Sequence, residues 1–523
     1  MTQTAAIEPQ QRISAPTVDV AVIGYGPTGA ALAHLLGQLG LSVRVIERNI
    51  GVLAIPRAVH LDGESMRILQ SMGLASRALS VLRPGANMEW VNATGQTLLV
   101  RTSEPGLGPH GWHNDYYFHQ PDLERLLRWG VAQLDGVQVD EGWALQQLRQ
   151  DGDGVALDLT STDGSATSTL RASYVVGCDG ARSTVRGLIA ADEFEDLGDH
   201  QTWLVVDGLL HHPLKLPEHT VQHCDPARPS TSIYVHPLRR RWELMLMPGE
   251  DADAMLVPEL VWRLLQRWVK PAQATLERAA AYTFHSLIAR RWQQGRVMLA
   301  GDAVHQTPPF LGQGLCTGLR DAANLAWKLA LAVAEPALAE STLASYGSER
   351  LPHARAFVAL AVEVGRVIQV IDPAAAAERD TRLQQQGLRF AFPMPALGPG
   401  LHRARVHAQA VGRIAPQFEL EDGRWSDDVC GPHWSLWLDP SVLANLTPTQ
   451  LALLHAMALR PLAATTAAQR WLQDQSCGAA LLRPDRYVCD IWPNADAMMA
   501  GLAQALPEGL PPPWRQRPVP GPT

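Results

Sequence analysis

Lysine is nearly missing from this chain: of 523 residues only Lys215, Lys270 and Lys328 carry it, so the positive charge is almost entirely arginine. The formal net charge is −8 and the pI is near 6.1, which speaks against a general attraction to nucleic-acid phosphates. Cysteine is scarce too. The six cysteines, at 178, 224, 316, 430, 477 and 489, form no C-x-x-C pair, which argues against a disulfide scaffold or a structural zinc site, and no metal is expected. Long hydrophobic runs are also lacking. The most apolar helical stretch, residues 322–338, is interrupted by Lys328 and Glu335, so no membrane span is expected. The segment 1–17 is polar, without the apolar region of a secretory signal, and reads as a flexible tail. A cytoplasmic, reducing compartment is the expectation that follows.

The length calls for two or three domains. Val18-Asp19-Val20-Ala21-Val22-Ile23 has the buried style of a first parallel strand. Gly24-Tyr25-Gly26-Pro27-Thr28-Gly29 follows, then a helical pattern over 30–39 and a second strand over 42–47. This order is the nucleotide-binding βαβ unit. In it Gly24 permits the turn, Gly26 lets a pyrophosphate approach the backbone with Pro27 next to it, Gly29 allows close packing of helix on strand, and amides at the helix start face the phosphate charge. Glu47, twenty-three residues after Gly24, ends the second strand where a carboxylate accepts hydrogen bonds from ribose hydroxyls, with Arg48 beside it.

Further along, loops and helices (63–72, 121–129) are expected from 57 to about 130, strands over 137–148, 154–159 and 170–176, and a strand-rich stretch over 203–247 with Arg239–Arg241 near a turn. Two later segments repeat the logic of an acid at a strand end. Cys178-Asp179-Gly180 runs on to Ser183 and Arg186, and Gly301-Asp302-Ala303 runs on to His305 and Pro308. A second acid placed to hold a ribityl hydroxyl favours FAD over NAD. The glycine loop Gly312-Gln313-Gly314 then offers amides to a planar ring, before helices expected over 318–335 and from 343 into the 360s.

On these three segments the chain resembles the class A flavoprotein aromatic hydroxylases, over about residues 18–370. Within them it looks most like the 3-(3-hydroxyphenyl)propionate hydroxylases, through Pro56-Arg57-Ala58, Cys224-Asp225-Pro226, Met247-Pro248-Gly249-Glu250 and Arg320-Asp321-Ala322. The resemblance implies an α/β fold: a Rossmann-like FAD-binding domain over 18–370, interleaved with β-sheet substrate segments (about 80–115 and 190–290). A linker over 371–410 and a thioredoxin-like domain over 411–523 would follow, the latter signalled by Arg483-Pro484-Asp485-Arg486-Tyr487-Val488. It implies bound FAD, with Arg57 and Gln120 against the flavin, Asp179 behind the second motif, Asp302 on the ribityl chain, and Pro308 with Gly312–Gly314 beside the ring. It further implies NADH or NADPH as a transient donor, O2 and a small aromatic substrate as partners, and allows a homodimer. The implied reaction is ortho-hydroxylation of a phenolic acid to a catechol through a flavin C4a-hydroperoxide.

Such chemistry needs a group that draws off the phenolic proton and enriches the ring. Asp62 is the first candidate, and His60, Tyr234 and His236 follow. A hydroxylase of another phenol, a polyketide or a heteroaromatic ring, and a flavin-binding protein without turnover, stay open. A halogenase is disfavoured, since no Trp-x-Trp-x-x-Pro run occurs in the corresponding region.

Overall fold

The buried run Val18–Ile23 becomes the centre of a sheet because both of its edges find parallel partners, Val43–Glu47 on one side and Thr167–Gly177 on the other. The computed structural model describes residues 18–54, 57–85, 88–101, 106–189, 193–198, 200–386, 394–403, 409–457 and 459–505. The tail expected over 1–17, Pro56 and the proline-rich end lie outside them. Val137–Glu141 and Val297–Leu299 extend the parallel sheet at its two sides, and a hairpin of Trp143–Gln150 and Val155–Ser161 folds onto Thr167–Gly177. Helices Pro27–Gln38 and Gly314–Ala334 pack together over it, which is the FAD-binding α/β arrangement.

A second sheet has seven strands, in the order Ala274–Phe284, Gln201–Leu210, Arg239–Met245, Ser230–His236, Thr220–Cys224, Met88–Asn92 and Thr97–Arg101. Strand side chains alternate between faces, and the alternation here is clean. Leu204, Val206, Trp242 and Leu244 pack on one face against Val261 and Leu265 of helix Pro258–Leu265. Trp90, Trp203 and Met245 pack on the other, against Phe310, Leu311 and the end of helix Ala339–Ile368. A small sheet of His60–Asp62, Asp115–Phe118 and Leu82–Pro84 bridges the two larger ones.

Beyond residue 409 a separate sheet forms, with Ser435–Leu438 parallel to Arg460–Ala463 and antiparallel to Ala479–Leu482, and Val488–Trp492 at its edge. Its core is continuous with helix Gly314–Ala334, since Trp327 and Leu331 pack into it and the rings of Trp327 and Trp434 meet edge to face at 5.6 Å. Ion pairs with no solvent exposure close this seam: Glu349 takes Lys328 Nζ at 2.7 Å and Arg483 Nη1 at 2.8 Å.

Three expectations need correction. The strand expected over 137–148 is two strands broken at Gly142, whose φ of +78° is a left-handed turn. The turn expected beside Arg239–Arg241 falls at Pro237 and Leu238, directly before strand Arg239–Met245. The stretch 57–130 holds five strands besides its helices. The segment 371–410 contains helix Pro373–Gln386.

Candidate functional site

The three glycines of the first motif differ in what surrounds them. Gly24 has φ +100°, and a Cβ there would stand 2.5 Å from the Cys178 carbonyl oxygen, so the second motif crosses directly over the first. A Cβ on Gly29 would overlap the Gly24 carbonyl. Gly26 has nothing within 4 Å of an added Cβ. Pro27 begins the helix and no side chain caps it, so its first-turn amides are left for an anion, and the open space above Gly26 is where one would approach. Glu47 is buried and accepts from Tyr25 N at 2.7 Å, Asn49 N at 2.8 Å and Asn49 Nδ2 at 2.7 Å. A carboxylate has about four lone-pair positions, so one is left for a ribose hydroxyl. Arg48 is exposed beside it.

The second motif organises the third. Asp179 accepts from Ser183 Oγ at 2.5 Å and from the amides of Thr184 and Val185, which starts helix Thr184–Leu188. Arg186 then donates to the Ala303 and Ala181 carbonyls, both at 2.9 Å. Gly301, at φ +63°, packs on Thr28, and its amide donates to Asp321 Oδ2 at 3.0 Å. Asp321 also accepts from His305 at 2.7 Å and Arg350 at 2.9 Å. Asp302, next in line, has no hydrogen bond or ion pair among the described residues. It is open to solvent, yet loss of hydration pushes its carboxyl above the usual range, against the lowering charges of His305 and Arg57. Both hold for a carboxylate on the floor of a deep recess, where a polyol could use it. Arg57 is exposed at the same recess. Gln120 is spent on the chain rather than on a ligand: its Oε1 accepts from Arg57 N at 2.7 Å and Ala58 N at 2.6 Å, and its Nε2 donates to Glu124.

Pro308 is buried and leads to Gly312, whose φ of +63° brings its Cα so near His60 that a Cβ would lie 2.8 Å from the His60 Cβ. Gln313 is buried and Gly314 is already the first residue of the helix, four residues before the expected start. His60 Nε2 meets Asp115 Oδ1 at 2.7 Å and Nδ1 meets the Gly312 carbonyl at 3.3 Å. Burial works against its charge, but the Asp115 carboxylate, helped by the Cys316 thiol, outweighs it and raises the imidazolium to about 10. At neutral pH both ring nitrogens therefore donate, and His60 holds the glycine loop instead of accepting a proton.

Asp62 is likewise committed. Its Oδ1 caps helix Gly63–Ser71 through Ser65 N and Oγ, each at 2.8 Å, and its Oδ2 pairs with Arg320. Burial would raise its carboxyl, yet Arg320 and Ser65 hold it down at about 2, which makes it a poor base. Tyr234 lies under the Arg240 guanidinium at 4.5 Å and His236 is exposed, whereas Ile233 and Val235 pack on Tyr117. The structure does not bring Tyr234 or His236 to the recess.

Residues that sequence reasoning passed over occupy the inner face of the second sheet. Arg241 pairs with Asp207 through Nε at 2.7 Å and Nη2 at 3.2 Å, and its Nη1 donates to the Arg57 carbonyl at 2.6 Å. Arg278 stands 3.8 Å from the same Asp207. Glu243 lies one step along the strand from Arg241, on the same face. The signal was present in Arg241-Trp242-Glu243-Leu244, where charge alternates with apolar side chains at the strand period. Arg320, also unassigned by sequence, joins Asp62 to Glu64 Oε2 at 2.6 Å and to Gln313 Oε1 at 3.2 Å, while Tyr487 of the last sheet donates to Glu64 at 3.0 Å. A cleft by Leu35, Arg67, Trp327 and Tyr487 lies on that seam, away from the three motifs, and its Arg67 is already paired with Asp427 at 2.5 Å. No group of three or more metal-ligating side chains occurs among the described residues, and no helix among them is long and apolar enough to cross a membrane.

Set against known proteins, residues 17–361 match the FAD binding domain family. The chain is 36% identical over 535 residues to a probable NADH-specific resorcinol 4-hydroxylase of Rhodococcus jostii, covering 96% of this chain and 97% of that one. It is 33% identical to a 3-(3-hydroxy-phenyl)propionate/3-hydroxycinnamic acid hydroxylase of Burkholderia cenocepacia, covering 93% and 96%. Among solved structures, the flavin-dependent monooxygenase PieE in complex with FAD and substrate matches with a TM-score of 0.77 at 22% identity, covering 94% of this chain and 99% of that one, a likeness of fold. The chain belongs to the FAD binding domain family, among the class A flavoprotein aromatic hydroxylases, and is an FAD-dependent aromatic monooxygenase.

Proposed function

We propose that this enzyme uses NADH to place one atom of O2 on a phenolic ring, next to an existing hydroxyl. The other oxygen atom leaves as water, and NADH supplies the two electrons. The observation that carries this is the meeting of the two layers: Arg241 of the second sheet donates to the Arg57 carbonyl and Trp203 meets Phe310, beside the solvent-open Asp302 and the Gly312–Gly314 turn. Bound FAD would supply the oxygen activation. The amides after Gly26 and the side chains of Glu47, Arg57 and Asp302 would hold it, with Pro308 and Gly312–Gly314 along its ring. The apolar side chains Tyr117, Ile233, Val235 and Phe310 would keep water from the reacting centre. NADH is favoured by the name of the Rhodococcus relative, and the same relatives are named for resorcinol and for phenolic acids.

We read 18–370 as the cofactor and substrate unit and the region after 411 as thioredoxin-like. The strand, two helices, strand, helix, strand, strand, helix sequence from Ser435 onward and a sheet order of second, first, third and fourth strand support that reading. The deciding measurement is NADH and O2 consumption by FAD-loaded protein over a panel of phenols, with product analysis. A phenol that speeds NADH oxidation and is recovered with one added oxygen is the expected result. Stimulation that yields only hydrogen peroxide with every phenol, or none at all, would overturn it.

A further inference from the structure

Glu243 is 6% exposed and sits mid-strand, between Val205 and Thr231 on the flanking strands. Its carboxylate has no hydrogen bond among the described residues, and its nearest cation, Arg241 Nη1, is 3.9 Å away. The neighbours that could serve it are engaged elsewhere. Thr231 Oγ1 donates to Gln222, and Arg241 is taken by Asp207 and the Arg57 carbonyl. A carboxylate largely withdrawn from water, with no protein hydrogen bond and one cation at 3.9 Å, is left open to a donor that a ligand would bring.

Its position says what arrives. On one side of Glu243 along the strand, Arg241 ties the sheet to Arg57. On the other, Trp203 beside Met245 meets Phe310 at 5.5 Å, and Gln222, in line with Glu243 across Thr231, reaches the Phe310 carbonyl at 3.4 Å. The carboxylate is thus bracketed by the two segments, Arg57–His60 and Pro308–Gly312, that border the recess on its cofactor side. Charge limits the choice further. Arg241 and Arg278 both have Asp207 as counter-ion, so two cations and two carboxylates already balance on this face. A ligand bringing its own carboxylate beside Glu243 would add like-charge repulsion in a desolvated place, whereas a hydroxyl group brings the donor that Glu243 lacks.

We propose that Glu243 is a catalytic and specificity-determining residue that accepts the hydroxyl proton of a neutral, polyhydroxylated phenol, and that it selects such phenols over phenolic acids. This rests on the hydroxylase reading above. The acceptor draws density into the ring at the carbon to be oxygenated, and the proton stays between phenolic oxygen and carboxylate with no other bond broken. Burial, only partly offset by Arg241, raises the Glu243 carboxyl and narrows its gap to a phenol.

The test compares wild type, Glu243→Gln and Glu243→Asp as FAD-loaded proteins with resorcinol and with 3-(3-hydroxyphenyl)propionate. Kd is read by equilibrium dialysis, and NADH consumption and hydroxylated product are followed. In wild type, resorcinol is the better substrate. Glu243→Gln keeps its FAD content and Tm, loses at least about tenfold in resorcinol affinity or coupled turnover, and does not lose, or gains, affinity for the acid. Glu243→Asp recovers part of the loss. Unchanged resorcinol binding and turnover in Glu243→Gln, or a wild type that couples only with the acid, sinks the role of Glu243 while the hydroxylase reading stands. If wild type acts on neither these nor any other phenol, both fall.

Discussion

Gly26 and Gly29 stand three residues apart in one turn, and their surroundings separate their roles: above Gly26 there is space, while Gly29 is pressed on the Gly24 carbonyl. Gly26→Val should therefore leave the stability of cofactor-free protein within about 0.5 kcal/mol of wild type but weaken FAD retention strongly. Gly29→Val should lose about 1–3 kcal/mol from overpacking before any cofactor is considered. Thermal melts beside FAD titrations check both, and equal FAD affinity in Gly26→Val would refute the first. His60 offers a pH test. Its imidazolium is raised to about 10 by Asp115, from near 6.5 in an unfolded chain. The stabilisation is thus complete below about 6.5 and disappears as pH climbs through about 10. Asp115→Asn should flatten the fall in Tm over that window. The glycines were readable in the sequence because backbone geometry is local. Asp62 and His60 were misjudged as bases because Arg320 and Asp115, their partners, lie 258 and 55 residues away.

The second sheet holds a buried charge pair at the place where it meets the Arg57 segment. Arg241→Met leaves Asp207 buried beside Arg278 alone and should destabilise by about 3–5 kcal/mol, whereas Arg241→Met with Asp207→Leu should recover most of that loss. Urea unfolding of the three proteins measures it, and no recovery in the double variant would contradict the account. Ala339–Ile368 was legible because it repeats its period many times over, and Val18–Ile23 because its apolar run leads straight into the glycine turn. His60–Asp62 and Leu82–Pro84 span three residues each, too few alternations to announce a strand, so the bridging sheet was missed. Helix Pro373–Gln386 was hidden by composition, since its alanines and arginines resemble a spacer until Ala376, Arg379 and Leu383 are seen buried on one side.

Across the molecule, the chain after residue 409 is fastened to the cofactor-binding part by charge as well as by apolar packing. Glu349 is held well below the usual carboxylate range: burial opposes its charge, and Arg483 and Lys328 more than restore it. Glu349→Gln leaves Lys328 buried without its ion pair while Arg483 keeps Asp485 at 2.5 Å, and should lower stability by about 3–5 kcal/mol, with the last sheet released first in limited proteolysis. Simultaneous loss of all parts would argue against a separable unit. The same seam runs through Tyr487, Glu64 and Arg320 to Gln313, one chain of hydrogen bonds that ends beside the glycine loop.

Because lysine is so rare, the sealed position of Lys328 also makes the protein its own clock. Lys215 and Lys270 are exposed to an acylating reagent, while the Lys328 amine has no accessible surface. A label on Lys328, located by mass spectrometry, can form only while the seam gapes. The rate of that single modification would therefore measure how often the two parts come apart under conditions in which the enzyme is otherwise intact.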